Sequence, residues 1–472
     1  MERHVAVIGA GIAGLGTALA FARRGHRVTL LEADPAEPAA SSDQAFEAWS
    51  RPGVGQFQST HGFVALARNR LRDGAPDVLA AVFAAGARPI DFTRLFGAGE
   101  TAADDRDLVG IGCRRAVFEH VLRVAAGREP GVTIRAGARA TGLSESSAGG
   151  ACVVTGVRIA GGDDVRADLV VDAAGRRSPV PQWWAALAGV PPRELREECG
   201  LVYYGRYFRL RAGVEAEDGR WFFGPAGDLG YLGYAVHLAD NDIFTVTLNA
   251  PAWDRDLRAL RHPEVFMAAV AAIPAVAAWV RPEAVEAISE VIPMGGLYNT
   301  LRGFEAPSTQ PPGGLVVLGD SRCHTNPAYG WGGSVGIAQA FRLAALVDEA
   351  GETGASLVAA FEAEQGGPSR DLFDAVSGGD RLRIAAWRGE APPADPATAA
   401  VQDLKSVFGP ASTRDGAVLR AVVRRANLLD GPFAITGDPL LRARAEALVD
   451  PLQPPPPAAG PSRPRFLAAI SS

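Results

Sequence analysis

The run Gly9-Ala10-Gly11-Ile12-Ala13-Gly14 constrains this chain more than any other feature. It follows a short apolar stretch, His4 to Ile8, and opens a helical stretch that stops at Gly25. A second strand pattern, Arg27 to Leu31, then ends in Glu32. Strand, glycine turn, helix and strand within about 30 residues make the first half of a Rossmann unit. Gly9 permits the tight turn, Gly11 lets a pyrophosphate approach the backbone, and Gly14 lets helix and strand pack closely. The helix start at Ile12 and Ala13 offers free N–H groups and a positive dipole end to phosphate. Glu32, about 20 residues on, is placed to accept hydrogen bonds from ribose hydroxyls. A dinucleotide site is the reading this order supports. A purely structural turn is the plainer alternative in a chain with 55 glycines.

At 472 residues the chain has room for two or three packed regions. Apolar residues make up 47% and charged residues 21%, the balance of a soluble globular protein. Net charge is −6 without a basic stripe, which removes nucleic acid as a partner. Cys113, Cys152, Cys199 and Cys323 show no CxxC spacing and read as reduced thiols of a cytoplasmic protein. The histidines show no metal-ligand spacing. Val5 to Ala22 is long and apolar enough to raise a membrane span, but its glycines and the strand that follows argue against one.

Residues 41–63 read as loop with short turns, 64–86 and 112–127 as helices, and 132–172 as short strands with glycine-rich turns. Val202 to Leu210 and Tyr231 to Leu248 alternate in strand fashion, with a hairpin signal at Ala239-Asp240-Asn241-Asp242. Helices are expected at 254–280, about 333–350 and over most of 356–450, with a strand at Leu315 to Leu318. Pro454 to Pro457 open a Pro-rich linker to a short apolar end. The expected class is α/β. A three-layer Rossmann-like domain would span 1–179 with 301–350, and an antiparallel-sheet substrate domain would be inserted at 180–300. A helical C-terminal region at 351–452 and a Pro-rich tail at 453–472 would complete it.

Two later segments bear on which dinucleotide is bound. Val170-Val171-Asp172-Ala173-Ala174-Gly175-Arg176-Arg177-Ser178 is similar to the second fingerprint of FAD-dependent aromatic hydroxylases, D-x-x-G-x-x-S. The segment from Leu318 through Asp320, Pro327, Gly330, Gly332 and Gly333 to Ser334 resembles their third, G-D-(x)n-P-x-x-G-x-G. The chain thus resembles the para-hydroxybenzoate hydroxylase-like monooxygenases over roughly residues 4–350. Within them it is nearest to the microbial branch with polyether-type epoxidases. The resemblance implies FAD, with Asp320 on the ribityl chain and the glycine turn facing the N1/C2 carbonyl edge of the isoalloxazine ring. A helix start there also suits the negative charge of a reduced flavin.

Arg51-Pro52-Gly53-Val54-Gly55-Gln56, with His61 beyond, is similar to the R-x-G-V-P-Q-x-x-H-x-H stretch of that branch. Here Gly55 replaces the Pro and Ser59 the first His. Cys113-Arg114-Arg115-Ala116-Val117-Phe118-Glu119 resembles the S-R-x-x-L-E helix start whose Arg reaches the FAD, with Arg115 aligned. Arg51, Gln56, Arg115, Ala140 and Asp172 accordingly join the cofactor side by resemblance, and a solvated surface charge is the plain alternative for either arginine.

Gly332-Gly333-Ser334-Val335-Gly336 also spells G-x-S-x-G, but a hydrolase of that kind needs a later histidine and His324 is the last. Flavin halogenases share this fold and as a family rely on an active-site lysine and a W-x-W-x-I-P segment. The one lysine here, Lys405, falls far downstream, and no such Trp segment occurs.

For the substrate, Tyr204, Arg206 and Phe208 share one face of a strand and Tyr203 and Tyr207 the other. The Arg206 face is expected to line the pocket, with Tyr234 and His237 on the next strand and Tyr329 and Trp331 beside the ring. No catalytic acid/base pair is visible. In the family that the chain resembles, reduced flavin and O2 give a C4a-hydroperoxide, and the protein keeps it dry against the substrate. The expectation is therefore a monooxygenase hydroxylating or epoxidising a hydrophobic small molecule, in bacterial secondary metabolism. NADPH or NADH, or a partner flavin reductase, would supply electrons. An FAD dehydrogenase or reductase on the same fold, and a flavin-binding protein without turnover, stay open.

Overall fold

A computed structural model describes residues 1–96, 102–148, 151–214, 223–304, 312–449 and 459–471. The N-terminal reading holds: strands His4–Ile8 and Arg27–Leu31 flank the helix Ile12–Ala22. With Val132–Arg135, Leu169–Asp172 and Leu315–Val317 they form a five-stranded parallel sheet in which Leu169–Asp172 lies between Leu315–Val317 and His4–Ile8. Alternation along His4–Ile8 serves two layers. Val5 and Val7 pack with Leu15, Phe21 and Ile337 on the helical side, while Ala6 and Ile8 pack with Leu143 and Val154 on the other. The apolar run from Val5 is thus a strand and a buried helix. Among the described residues no single helix is long and apolar enough to cross a membrane.

Two glycines of the turn answer to backbone demands. Gly9 takes φ +96°, and a Cβ there would come 2.7 Å from the Ala173 carbonyl oxygen. A Cβ on Gly14 would lie 1.8 Å from the Gly9 carbonyl oxygen, so helix and turn touch only because it is absent.

Residues 201–294 hold the antiparallel sheet, whose strands run in the order Phe223–Asp228, Gly233–Leu238, Ile243–Pro251, Leu201–Leu210 and Val285–Ala287. Asn241 and Asp242, at φ 51° and 57°, make the hairpin turn that their residue types suggest. One face is covered by helices: Tyr204, Phe208, Tyr234, Val246 and Leu248 form a core with Phe266, Val276, Trp279 and Phe466. The opposite face looks onto the first domain, where the Tyr207 and Phe46 rings lie 4.8 Å apart.

Three expectations need correction. Residues 41–63 contain a helix, Ser42–Ala48, and a strand, Thr60–Phe63. That strand pairs with Val109–Arg114, which delays the next helix to Arg115–Arg128. Both strands are held by distant partners, which local patterning does not reveal. The chain end is also more than a tail. Arg463–Ile470 is a helix that seats fully buried Phe466 on the antiparallel sheet, with Arg463 Nη2 2.9 Å from Asp254 Oδ2. Burying one such ring stabilises by about 1.5–3 kcal/mol. The Pro454–Pro457 linker lies outside the described residues.

Candidate active site

Glu32 stands at the end of its strand with Oε2 accepting from the Ala10 N–H at 3.1 Å and from Arg51 Nη2 at 2.7 Å. Arg51 is buried against the glycine turn, pairs also with Glu119 at 3.1 Å, and lies over the Trp49 ring. Arg115, at the head of its helix, donates to the other Glu119 oxygen at 3.1 Å. A Cβ built on Gly11 would meet nothing nearer than Arg115 Nη2 at 3.9 Å. Gly11 therefore opens on a space bounded by a guanidinium and a helix N-terminus, which suits a pyrophosphate and which a side chain would fill. Gln56 is half-buried beside Gly55, where a Cβ would come 3.0 Å from Arg176 Nη2. Ala13 packs tightly under the third fingerprint, 3.0 Å from Cβ positions on Gly319 and Gly336. Ala140 instead opens the strand Ala140–Ala148 and packs into the apolar layer beneath the parallel sheet.

Asp320 stands where the second and third fingerprints meet. Its Oδ1 is 3.3 Å from a Cβ position on Gly332, and its Cβ is 4.0 Å from one on Gly175. A third of the side chain (33%) touches solvent although protein encloses it, as on the wall of a cleft. Burial opposes its ionisation, but His324, then Arg115 and Arg176, outweigh it and hold the carboxyl below the usual range. His324 Nε2 is buried and has no partner among the described residues.

The turn Pro327–Tyr329 ends at Gly330, with φ +66° and a Cβ position only 2.5 Å from the Gly62 carbonyl oxygen. The helix Trp331–Ala350 starts there without a side-chain cap, so Gly332 and Gly333 present a bare N-terminal turn beside Asp320.

Two expected cofactor residues turn out to be struts. Asp172 is fully buried and accepts from Ala174 N–H at 3.0 Å, Ser178 Oγ at 2.6 Å and Ser321 Oγ at 3.1 Å. Burial pushes its carboxyl up to about 6 against those bonds, and it ties the second fingerprint to the third from beneath. Ser334 is also fully buried, its hydroxyl accepting from the Val64 N–H at 3.0 Å.

On the substrate side the expected face is the wrong one. Tyr204, Phe208 and Tyr234 belong to the helix-covered core, and Arg206 donates through Nε to the Ser289 carbonyl at 3.0 Å. Tyr204 edges a separate surface cleft of about 310 Å³ with Arg258 and Arg261, on that same outer side. The face toward the cofactor groove carries Tyr203, Gly205 and Tyr207, in register with Asn249, Thr247 and Thr245 and, one strand on, Gly233, Ala235 and His237. Between its aromatic rows lie Gly205, Thr247 and Ala235, all small and all half-exposed, whereas Tyr204, Tyr234, Val236, Val246 and Leu248 on the helix-facing side are buried. These small side chains leave the sheet low between the aromatic rows. His237 lies on this face and not on the Arg206 face, and burial lowers its pKa to about 4, so the ring is neutral at pH 7. Asn249 Oδ1 is buried with no partner among the described residues.

The C-terminal helices meet the other side of the turn. Trp331 is buried, donates to the Ala426 carbonyl at 2.9 Å, and stacks on Tyr329 at 4.9 Å. The Tyr203 phenol donates to Asn326 Oδ1 at 2.5 Å, directly before the turn. Asp380 and Arg383 of the long helix Ala355–Arg388 lie beyond it. Lys405, far off in sequence, comes within the field of Arg383, Asp228 and Asp380. Lys405 itself is exposed. Sequence reading missed Asn326 and Asp380; an Asn-Pro pair opening a turn was the available signal for the first.

Residues 4–107 match a family model described as FAD dependent oxidoreductase. The same architecture recurs in PqsL of P. aeruginosa in complex with 2-aminobenzoylacetate, at TM-score 0.58 and 17% identity over 82% of this chain and 97% of that one. The flavin-dependent brominase Bmp2 aligns at TM-score 0.60 and 16% identity, over 95% and 98%. An HpxO variant from Klebsiella pneumoniae complexed with FAD aligns at TM-score 0.56 and 15% identity, over 94% and 100%. The fold is that of the flavin-dependent monooxygenases and halogenases. The α/β expectation, with its Rossmann-like and antiparallel units and its helical C-terminal region, stands.

Proposed function

We propose that this chain is an FAD-dependent monooxygenase acting on a hydrophobic small molecule held over the Gly205–Thr247–Ala235 recess. The observation that carries the reading is the convergence at Asp320: Gly175, Gly332, Arg115 and Arg176 all lie about one carboxylate, on a cleft wall. In this reading Glu32 accepts from the adenosine ribose, and Gly11 with Arg115 receives the pyrophosphate. Asp320 accepts from the ribityl hydroxyls, and the bare helix start at Gly332 and Gly333 faces the ring. Bound FAD would supply the redox chemistry, with NADPH or NADH, or a reductase partner, as electron source and O2 as co-substrate.

The chain's own part is to bind, orient and exclude water. Tyr203 and Tyr207 wall the recess, and Tyr329 on the turn and the C-terminal helices roof it. His237, neutral at pH 7, and Asn249 join Thr245 and Thr247 as polar groups on that face. The described residues on that face are neutral polar groups and aromatics, which fits chemistry supplied by the cofactor. The four free thiols support a cytoplasmic setting.

O2 consumption by FAD-loaded protein, coupled one-to-one to an oxygenated product of a candidate substrate, tests the reading. Substrate oxidation that proceeds anaerobically with an artificial acceptor would place the protein among dehydrogenases instead. Flavin that is neither reduced nor reoxidised with substrate would leave only a carrier.

A further inference from the structure

Asn326 immediately precedes the flavin turn, and each of its polar side-chain atoms is engaged. Its oxygen accepts from the Ala328 N–H at 3.3 Å, capping the turn, and from the Tyr203 phenol at 2.5 Å. Its side-chain amide donates to Asp380 Oδ1 at 2.7 Å, and its backbone N–H donates to Asn299 Oδ1 at 2.7 Å. Asn299 closes the ring by donating to Asp380 Oδ2 at 2.8 Å. Arg383 donates to Asp380 Oδ1 at 2.6 Å and to the Cys199 carbonyl at 2.6 Å. Because an ionised carboxylate only accepts, Asp380 dictates which way both amides point.

Asn299, Asn326 and Asp380 are all buried, where an unmade bond is costly. Four separate stretches meet at this ring: the substrate sheet, the strand Tyr298–Gly303, the flavin turn and the long C-terminal helix. The helix is shaped for the meeting. A Cβ on Gly379 would lie 2.5 Å from the Tyr329 hydroxyl, and one on Gly378 2.9 Å from the Ala397 carbonyl oxygen. Two consecutive glycines weaken a helix relative to alanine, so close approach is what they serve.

We propose that Asp380 is a positioning residue for the flavin turn. It orients Asn326, and through it the turn that leads into the bare helix start at Gly332 and Gly333. With Tyr203 it locks that turn to the floor of the substrate recess. The inference rests on the FAD reading above and adds that the redox site extends into the C-terminal helices.

The test compares wild type with Asp380→Asn, Tyr203→Phe and the exchange Asn326→Asp with Asp380→Asn. Each protein is assayed for FAD affinity by fluorescence quenching, for flavin absorption and midpoint potential, and for melting of the apoprotein. Asp380→Asn sets an amide donor against another donor, so the FAD Kd should rise at least about tenfold, the size of one charge-assisted hydrogen bond. The flavin spectrum and potential should shift with it. Tyr203→Phe should move all three the same way by less. The exchange restores a donor–acceptor pair between positions 326 and 380 but leaves Arg383 facing the new amide, so it should recover part of the affinity lost in Asp380→Asn.

A lower apoprotein melting point with wild-type Kd, spectrum and potential would make Asp380 a merely structural residue and overturn the proposal. If Asp380→Asn does not fold, Tyr203→Phe and the exchange decide in the same way. A wild type that takes up no FAD overturns the underlying FAD reading. A wild type that binds FAD beside unaffected variants overturns this inference alone.

Discussion

The Asp320 carboxylate accepts a hydrogen bond from His324 Nδ1 at 3.0 Å, and a Cβ position on Gly332 lies 3.3 Å from its other oxygen. One oxygen is thus held by the protein while the other faces the bare helix start. Asp320→Ala should remove a charge-assisted hydrogen bond to the ribityl chain, worth about 1.5–3 kcal/mol, or one to two decades of FAD affinity. His324→Ala, which frees the carboxylate to turn and removes the leading influence that keeps it ionised but leaves the ribityl acceptor in place, should cost less. Quenching titrations of folded variants check both. Full affinity in Asp320→Ala would mean that the third fingerprint does not face the cofactor.

Gly11 and Gly14 should fail differently. Gly11 faces open space, so Gly11→Val should leave the apoprotein's melting temperature near wild type while FAD binding is lost. Gly14→Ala drives a methyl onto the Gly9 carbonyl and should destabilise the protein by several kcal/mol or prevent folding. Melting curves with and without FAD distinguish the two, and a Gly11→Val protein with normal FAD affinity would contradict the pyrophosphate assignment.

The recess predicts a second contrast. At Gly205 a Cβ would meet only Thr247 Oγ1, at 3.8 Å, so a larger side chain enters the recess and not the core. Gly205→Leu should keep FAD affinity and abolish substrate-dependent O2 uptake. Arg206→Ala, on the outer face, should lower the melting temperature by a few degrees through lost packing and leave kinetics unchanged. The reverse pattern would return the pocket to the Arg206 face.

How much of this was legible in the sequence depended on how local each signal was. Gly9, Gly11, Gly14 and Glu32 act within one strand–turn–helix–strand unit, and their spacing alone placed them. Asp320 was legible because its turn and helix follow directly. Alternation along Leu201–Leu210 separated the Tyr203 face from the Tyr204 face, but the choice between them lay elsewhere. The helix that carries Phe466, at the far end of the chain, covers one face, and nothing local to the strand reports that. Asp172 and Ser334 carried fingerprint positions correctly and roles incorrectly, since spacing does not say whether a carboxylate or hydroxyl points into a groove or beneath it. Asp380 sits in a helix whose glycine pair reads as a weakness until the turn it approaches is known.

His237 gives a pH signature. Burial depresses its pKa from 6.5 to about 4, so below 6.5 the unfolded chain takes up a proton that the folded chain refuses. Its contribution to stability is therefore present above 6.5 and is lost as pH falls toward 4. Asp172 acts with the opposite sign: its carboxyl is raised to about 6, so its contribution is lost as pH rises through that value. The difference between His237→Gln and wild type isolates the histidine. The variant's melting temperature should gain on wild type as pH drops across that window. An offset independent of pH would show that His237 titrates normally.

The most direct measurement for the whole account is the identity of the flavin the purified protein holds. Protein saturated with FAD, washed free of excess and heat-denatured should release FAD at one equivalent per chain. FMN offered in its place should bind far more weakly, because Glu32 holds the adenosine ribose that FMN lacks and Gly11 with Arg115 would meet one phosphate instead of two. Equal retention of FMN, or no retention of either flavin by folded protein, would contradict the account at its centre.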